Sequence, residues 1–318
     1  MGSVLFSTLV SSGRFLASMI PIFFAGVVVA EVLVALGWID RIAWITRPLT
    51  SLGHLKKECG TSFLTAFFSP AAGNAMLVRH HEAGLIDRRE LLIAAMVNTF
   101  PGIVMHWRTM LPMALPLIGV WALVYYGFLV LVGFIKTMVA LLVGRFVLKP
   151  INAHAPENGP VKIETQSMSW ELVKGSINKS RGMLLRMIRT TVPVTLIMFL
   201  LIHAGAFERL NRGLAFLTAF VPLSPEALSI VATRLGSNIG AFTVAGSLLY
   251  SERIVGQDVV LALLIGNLLA SGINLRYLVP YYFGIFGTGM GIQVLTVSTG
   301  LRMAIMLGLI GVLFKLWG

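Results

Sequence analysis

Apolar residues in this chain come in long unbroken blocks. Phe15 to Trp38 carries one charge, Glu31, in 24 residues; Thr109 to Ile135 carries none in 27, Thr190 to Phe207 none in 18, and Tyr277 to Leu301 none in 25. A helix that crosses a bilayer needs about 20 apolar residues. A crossing strand is shorter and alternates apolar with polar positions, and these blocks do not alternate. The pattern predicts an all-α, polytopic transmembrane helical protein. One long polar stretch, Lys149 to Arg181, contains Pro150, Pro156 and Pro160 with mixed charge. It predicts a surface linker, with a short amphipathic helix near Trp170 to Lys174, between segments 1–148 and 182–318.

The two segments can be laid on each other. Asn98 to Pro112 reads NTFPGIVMHWRTMLP and Asn267 to Pro280 reads NLLASGINLRYLVP. Arg108 and Arg276 are 168 residues apart, as are Pro112 and Pro280, Ser69 and Ser237, and Gly37 and Gly205; Asn98 and Asn267 are 169 apart. Shared spacing of this kind predicts an internal repeat. Each half begins with a long helix (about 15–38 and 186–206). A stretch broken at Ser69-Pro70 or Ser237-Asn238 follows (about 50–80 and 220–250). Next comes a helix interrupted at the Asn–Gly–Arg motif (about 88–118 and 256–288), and then a last long helix (about 119–147 and 290–316). Three spans and one re-entrant hairpin make an odd number of crossings, so two such halves in series run in opposite directions.

Composition agrees with the blocks: 57% of residues are hydrophobic, 12% are charged, and mean hydropathy is +0.86. A soluble domain carries about 25% charged residues. The net charge is +12. On a soluble protein that would suggest nucleic acid; here it reads as basic loops, and no nucleic-acid partner is expected. Arg41, Arg47, Lys56, Lys57, Arg79, Arg88 and Arg89 fall on the linker's side, which with its flanks adds Arg145, Lys149, Lys162, Lys174, Lys179, Arg181, Arg186 and Arg189. The opposite side holds Arg14, Arg209, Arg212 and Arg253. The positive-inside rule then places the linker in the cytoplasm and both termini outside a cytoplasmic (inner) membrane. The single Cys59 excludes an internal disulfide, and the opening MGSVLFSTLVSSG lacks the basic start and cleavage site of a signal peptide.

Candidate chemistry lies where polar residues interrupt the apolar blocks. Arg108 and Arg276 occupy matching positions, and Lys136 and Arg302 nearly so. A charge deep in a bilayer is expensive and faces a partner or a wet cavity, although a long side chain can also snorkel to the headgroups. The Arg108/Arg276 pair is the first candidate for holding an anionic group, because the guanidinium fork binds carboxylate or phosphate with two bonds. Lys136 and Arg302 are weaker candidates for charge or coupling. At Ser69-Pro70 and Ser237-Asn238 a restarting helix, with Asn74 in the first, directs free N–H groups and its positive end at a solute. Asn98, Asn267, His106 and Asn274 could hydrogen-bond the same solute, or tie helices together. Glu31 is read first as a salt-bridge partner for an arginine, second as a proton or sodium site. His80-His81-Glu82 lacks metal-ligand spacing and is expected in a surface loop. No P-loop, nucleophile elbow or paired carboxylates occur, so no enzyme, cofactor or metal is expected.

The broken hairpin, the turns LIDRRELL and ERIVGQDVV, and the N…G…R-x-x-[L/V]-P motif resemble the nucleoside-recognition (Gate) domain, over about residues 15–148 and 182–317. That domain occurs in spore-maturation membrane proteins A and B, in the membrane part of a ferrous-iron transporter and, more remotely, in concentrative nucleoside transporters. The iron transporter has a cysteine at the helix break, where this chain has serine, so the resemblance does not extend to iron. The resulting expectation is a secondary transporter with broken helices in inverted repeats and a midplane site for a small anionic organic solute. Its partners would be the lipid bilayer, the solute, a coupling proton or sodium ion, and a second copy in a homodimer. A nucleoside or nucleobase transporter and a non-transporting scaffold or partner subunit are the alternatives.

Overall fold

The computed structural model describes residues 5–14, 51–150 and 223–317, with single positions and short runs within 16–21 and 169–200. Among these residues every regular element is helical. The long helices expected at 15–38 and 186–206, Glu31, and the Gly37 and Gly205 landmarks lie wholly or largely outside the described residues. So does most of the linker. Within it, residues 170–175 are helical, where a short helix was expected.

Helices α1 (Lys57–Phe68) and α2 (Pro70–Glu82) are joined by Ser69 alone, extended at φ −151, ψ 107. Pro70 dictates the break: it has no N–H to donate, and its ring pushes the preceding residue out of helical conformation. The histidines His80 and His81, with Glu82, form the last turn of α2 rather than the expected loop. The apolar run before them propagates the helix until Gly84 stops it at φ 71. The Gly84 N–H bonds His81 O at 2.9 Å and the Leu85 N–H bonds His80 O at 2.9 Å, closing the helix end in a Schellman arrangement. Helix α3 (Arg88–Val97) starts in a capping box, with Asp87 and Glu90 exchanging backbone-to-side-chain bonds of 2.8 Å. Lys56 meets the same Glu90 at 3.0 Å and ties the start of α1 to α3. That hydrogen bond raises the Lys56 pKa above its ordinary value, against the opposing effect of burial. Helices α4 (Thr99–Met105) and α5 (Trp107–Ile118) continue the path, offset at Asn98 and His106. Gly119, at φ 58, leads into α6 (Trp121–Val147).

The second set repeats these boundaries. Helix α7 (Pro225–Gly236), Ser237, α8 (Asn238–Tyr250) and the start of α9 (Gly256–Trp317) each stand 168 residues after their counterparts: 225 − 57, 237 − 69, 250 − 82 and 256 − 88. Ser237 is extended at φ −155, ψ 128, as Ser69 is. Glu252, at φ 54, takes the place of Gly84, with matching bonds from Glu252 N–H to Leu249 O (3.1 Å) and from Arg253 N–H to Leu248 O (3.0 Å). Gly287, at φ 73, breaks α9 where 119 + 168 places it. One expectation fails here. The helix beginning at Gly256 is not interrupted near Asn267 but runs unbroken to Gly287. In the first set Pro101 withholds an N–H from the carbonyl of Val97 and so offsets α3 from α4. The second set has Leu269 and Ala270 in that region, and the helix continues.

Packing forms two apolar cores. One gathers α5, α7, α8 and the outer parts of α9 around Leu263, Leu264 and Met306; the other gathers α1, α2 and α3 around Leu77 and Leu91. Helices α6 and α9 pass through both: Tyr125 and Ala122 lie in the first, Ala140 and Leu141 in the second. Between helices in lipid, close packing of small residues replaces the hydrophobic drive. A Cβ on Gly73 would come 2.7 Å from Ser62 O, and one on Gly246 would come 2.5 Å from Leu117 O. Trp121–Val147, Gly256–Leu275 and Tyr281–Trp317 are long and apolar enough to cross a membrane. Their outer faces leave Leu123, Phe134, Phe146, Leu307 and Leu316 exposed, an arrangement suited to lipid. The chain is a helical membrane protein.

Candidate functional site

A polar layer lies between the two cores. Lys136, midway along α6, is 2% exposed. Its Nζ donates to Thr99 Oγ1 at 2.9 Å and to Ser298 Oγ at 2.5 Å. One turn after Ser298, Arg302 donates to Asn267 Oδ1, and Asn267 Nδ2 donates to Tyr125 OH at 3.1 Å. Ser298 and Arg302 share a face of α9 because residues four apart on a helix are neighbours.

A cavity of about 80 Å³ opens off this layer, its polar wall formed by His106, Thr109, Tyr125, Arg234, Asn238 and Asn267. Met110, Met113, Leu129 and Phe242 form its apolar wall. His106, Thr109, Met110 and Met113 fall at i, i+3, i+4 and i+7, one stripe of α5. Arg234 comes from the last turn of α7, and its buried Nε has no hydrogen-bond partner. Gly266 makes room for it: a Cβ there would stand 2.7 Å from both Cβ and Cγ of Arg234. Asn238 opens α8, which Ser237 caps by accepting the Gly240 N–H at 3.1 Å. The positive end of α8 therefore faces the cavity.

Among the described residues the charged side chains of this layer, Lys136, Arg234 and Arg302, are all cationic. Arg302 lies close enough to both Lys136 and Arg234 for their like charges to interact, and both arginines act on His106. Among the described residues no carboxylate lies within ion-pair distance of Lys136, Arg234 or Arg302. Nor does any group of three His, Cys, Asp or Glu side chains gather among the described residues in a way that could hold a metal ion. Arg234 and the start of α8 thus face an apolar wall of two methionines, Leu129 and Phe242 across the cavity.

The sequence candidates divide around this cavity. His106, Asn238 and Asn267 line it, Ser237 caps the helix that faces it, and Arg302 holds Asn267. Asn98 and Asn74 belong instead to a buried tie. Asn98 Nδ2 donates to Ser62 Oγ (3.0 Å) and Asn74 Oδ1 (3.4 Å), and Asn74 Nδ2 donates to Tyr281 OH (3.2 Å). Ser69 is the hairpin joint. Arg108, half-buried on α5, lies off the stripe that lines the cavity, and Asn274 is half-buried on α9 away from it. The Arg276 backbone is helical, and its side chain lies outside the described residues, as Glu31 does. Lys136 is enclosed rather than snorkelling. Arg234 and Tyr125 are cavity residues absent from the sequence candidates. Arg234 sits in the polar string TRLGSN and so does not stand out as a charge within apolar surroundings. Tyr125 reads as one more aromatic in an apolar run, and its only signal is that a buried tyrosine O–H needs a partner.

Comparison with known proteins gives a family and relatives. The Gate family, described as nucleoside recognition, matches residues 16–106. An uncharacterized protein of Methanocaldococcus jannaschii is 31% identical over 299 residues, 94% of each chain. Two further uncharacterized proteins of that organism are 23% identical over 294 residues (91% of this chain, 94% of theirs) and 20% identical over 283 (87% and 86%). No solved structure matches. The family is associated with membrane transport or recognition rather than with catalysis. On the helix breaks, the apolar spans and this match, the chain belongs to the nucleoside-recognition (Gate) family of membrane proteins.

Proposed function

We propose that the protein is a secondary transporter of a small organic anion, bound in the cavity between α5, α7, α8 and α9. The observation that carries this reading is Arg234 in the wall of one cavity, with Arg302 behind the lining residue Asn267 and Lys136 beyond it in the polar layer, and no described carboxylate within ion-pair distance of any of them. Buried like charges repel, and a bound anion relieves them. Scaled from a cavity of about 150 Å³ that holds benzene, this one accepts about three to five heavy atoms. A short carboxylate or sulfonate with an apolar end fits both walls.

The architecture we propose is a pair of inverted repeats, 1–148 and 182–318, joined by a cytoplasmic linker, with α1–α2 and α7–α8 as re-entrant hairpins. The common offset of 168 residues at helix starts, serine breaks and positive-φ turns supports it. Alternating access then moves one set of helices against the other around the polar layer. The family's description favours a second reading, a nucleoside or nucleobase as solute.

Flux assays on purified protein in liposomes, loaded in turn with acetate, methanesulfonate, malonate, phosphate, uracil and uridine, decide between them. Exchange of the small organic anions, lowered at least tenfold by Arg234→Gln in protein that still elutes as a sharp peak, is expected. A charge-assisted hydrogen bond contributes about 1.5–3 kcal/mol, about 10- to 150-fold in affinity. Uridine or uracil flux without anion flux assigns the second reading instead. No flux of any solute favours a scaffold.

A further inference from the structure

We propose that Lys136 carries a proton together with the solute, making the protein a proton-coupled anion symporter; this rests on the transport reading above. Lys136 is residue 16 of the 27 in α6, counting from Trp121 (136 − 121 + 1), and it is 2% exposed. Its nitrogen therefore sits deep in a spanning helix. Its two partners, Thr99 on α4 and Ser298 on α9, are both hydroxyls. A hydroxyl accepts from an ammonium and can equally donate to the lone pair of a neutral amine. Rotating one of the two O–H bonds thus accommodates both protonation states without moving a helix, the other hydroxyl still accepting an N–H. Arg302 has no such freedom, since a guanidinium remains charged.

Around Lys136, α9 brings the Arg302 guanidinium, which shares its sign, and the neutral Tyr282 hydroxyl, which bonds Ser298. Helix α4 brings Thr99 and no charged side chain. The other helices packed on α6 carry Arg108 on α5 and Arg88, Arg89 and Glu90 in the first turn of α3. No described carboxylate reaches the ammonium. An anion in the cavity would lie against Asn267, the partner of Arg302, and bring a negative charge to a layer whose described charged groups are cationic. Anion and proton then favour each other's binding, and linkage makes the effect reciprocal. The Nζ lone pair takes a proton from the water on the side where the anion enters, forming an ammonium N–H bond. After the anion leaves, that bond breaks and the proton goes to water on the other side. A monoanion and a proton cross together without net charge.

The full chain in liposomes tests this with labelled methanesulfonate, which is permanently ionised and carries no proton of its own. An outside pH one unit below the inside is expected to drive about tenfold accumulation by the native protein. Lys136→Met and Lys136→Arg are both expected to lose proton-driven accumulation, and where a variant also loses methanesulfonate exchange the proton count on native protein given below decides. Retained proton-driven accumulation in Lys136→Met overturns the proposal. So does rescue by Lys136→Arg, which would show that a fixed charge suffices. Native protein that exchanges methanesulfonate but ignores the pH gradient also overturns it and leaves the transport reading standing. Absence of all anion exchange overturns both. If neither variant folds, native protein in weakly buffered detergent decides: about one proton taken up per methanesulfonate bound near neutral pH supports the assignment, and none overturns it.

Discussion

Glu252 closes α8 at φ 54, the position that Gly84 fills at φ 71 on α2. Left-handed backbone costs a residue with a Cβ about 1–2 kcal/mol, and glycine recovers that less its own entropy cost of about 0.5–1 kcal/mol. Glu252→Gly is therefore expected to stabilise the protein by about 0.5–1 kcal/mol, read as a higher melting temperature in detergent; a lower one would contradict the strain. A second residue-scale prediction concerns the Lys56–Glu90 pair, whose side chains are 43% and 6% exposed. Lys56→Ala leaves Glu90 with its capping bond but no cation, at a cost of about 1 kcal/mol after allowing for the exposed lysine. Urea melts of native and variant protein measure it. This scale was the least legible in the sequence. A linear string cannot say that Arg234, beside Thr233 and Ser237, turns back against Gly266 into the wall of a cavity. It also cannot say that Arg108, in an apolar context, lies off the stripe of His106 and Thr109. Two steps of a helix rotate a side chain by about 200°, and that rotation separates Arg108 from His106.

Breaks and turns were far more legible, because each has a local cause. Proline at position 70 requires the extended Ser69, and glycines at 84, 119 and 287 allow the positive φ that ends each helix. Where the cause is missing the expectation fails: without a counterpart to Pro101, the helix through Asn267 stays continuous. The hairpin α1–α2 also depends on a close approach that sequence alone does not reveal. Ser62 O and the Ala66 Cβ stand 2.7 and 2.8 Å from where a Cβ on Gly73 would lie, and the carbonyl belongs to the backbone. A methyl group there has to open the hairpin. Gly73→Ala is expected to cost about 1–3 kcal/mol by overpacking, seen as a lower melting temperature and faster proteolysis between α1 and α2. An unchanged melting temperature would mean that the two helices separate freely.

At the scale of the whole molecule, two helix sets with one internal register can be arranged in parallel or inverted, and loop charge distinguishes the two. The turn after α2 is flanked by Arg79, Arg88 and Arg89, with Lys56 hydrogen-bonded to Leu85 O at 2.9 Å. The matching turn after α8 carries Arg253 beside Glu252. Basic loops are retained in the cytoplasm, so the two turns belong on opposite sides if the halves are inverted. Leu85 and Arg253 are both exposed and are 168 residues apart (253 − 85). In a Cys59→Ala background, which removes the single, buried cysteine, Leu85→Cys and Arg253→Cys place one thiol at each turn. A membrane-impermeant maleimide added to intact cells is expected to label the cysteine at 253 and to spare the one at 85 until the membrane is opened. Labelling of both from one side would make the halves parallel. In that case the two hairpins would enter from the same face, and the polar layer could not be approached alternately from either side by equivalent movements of the two halves.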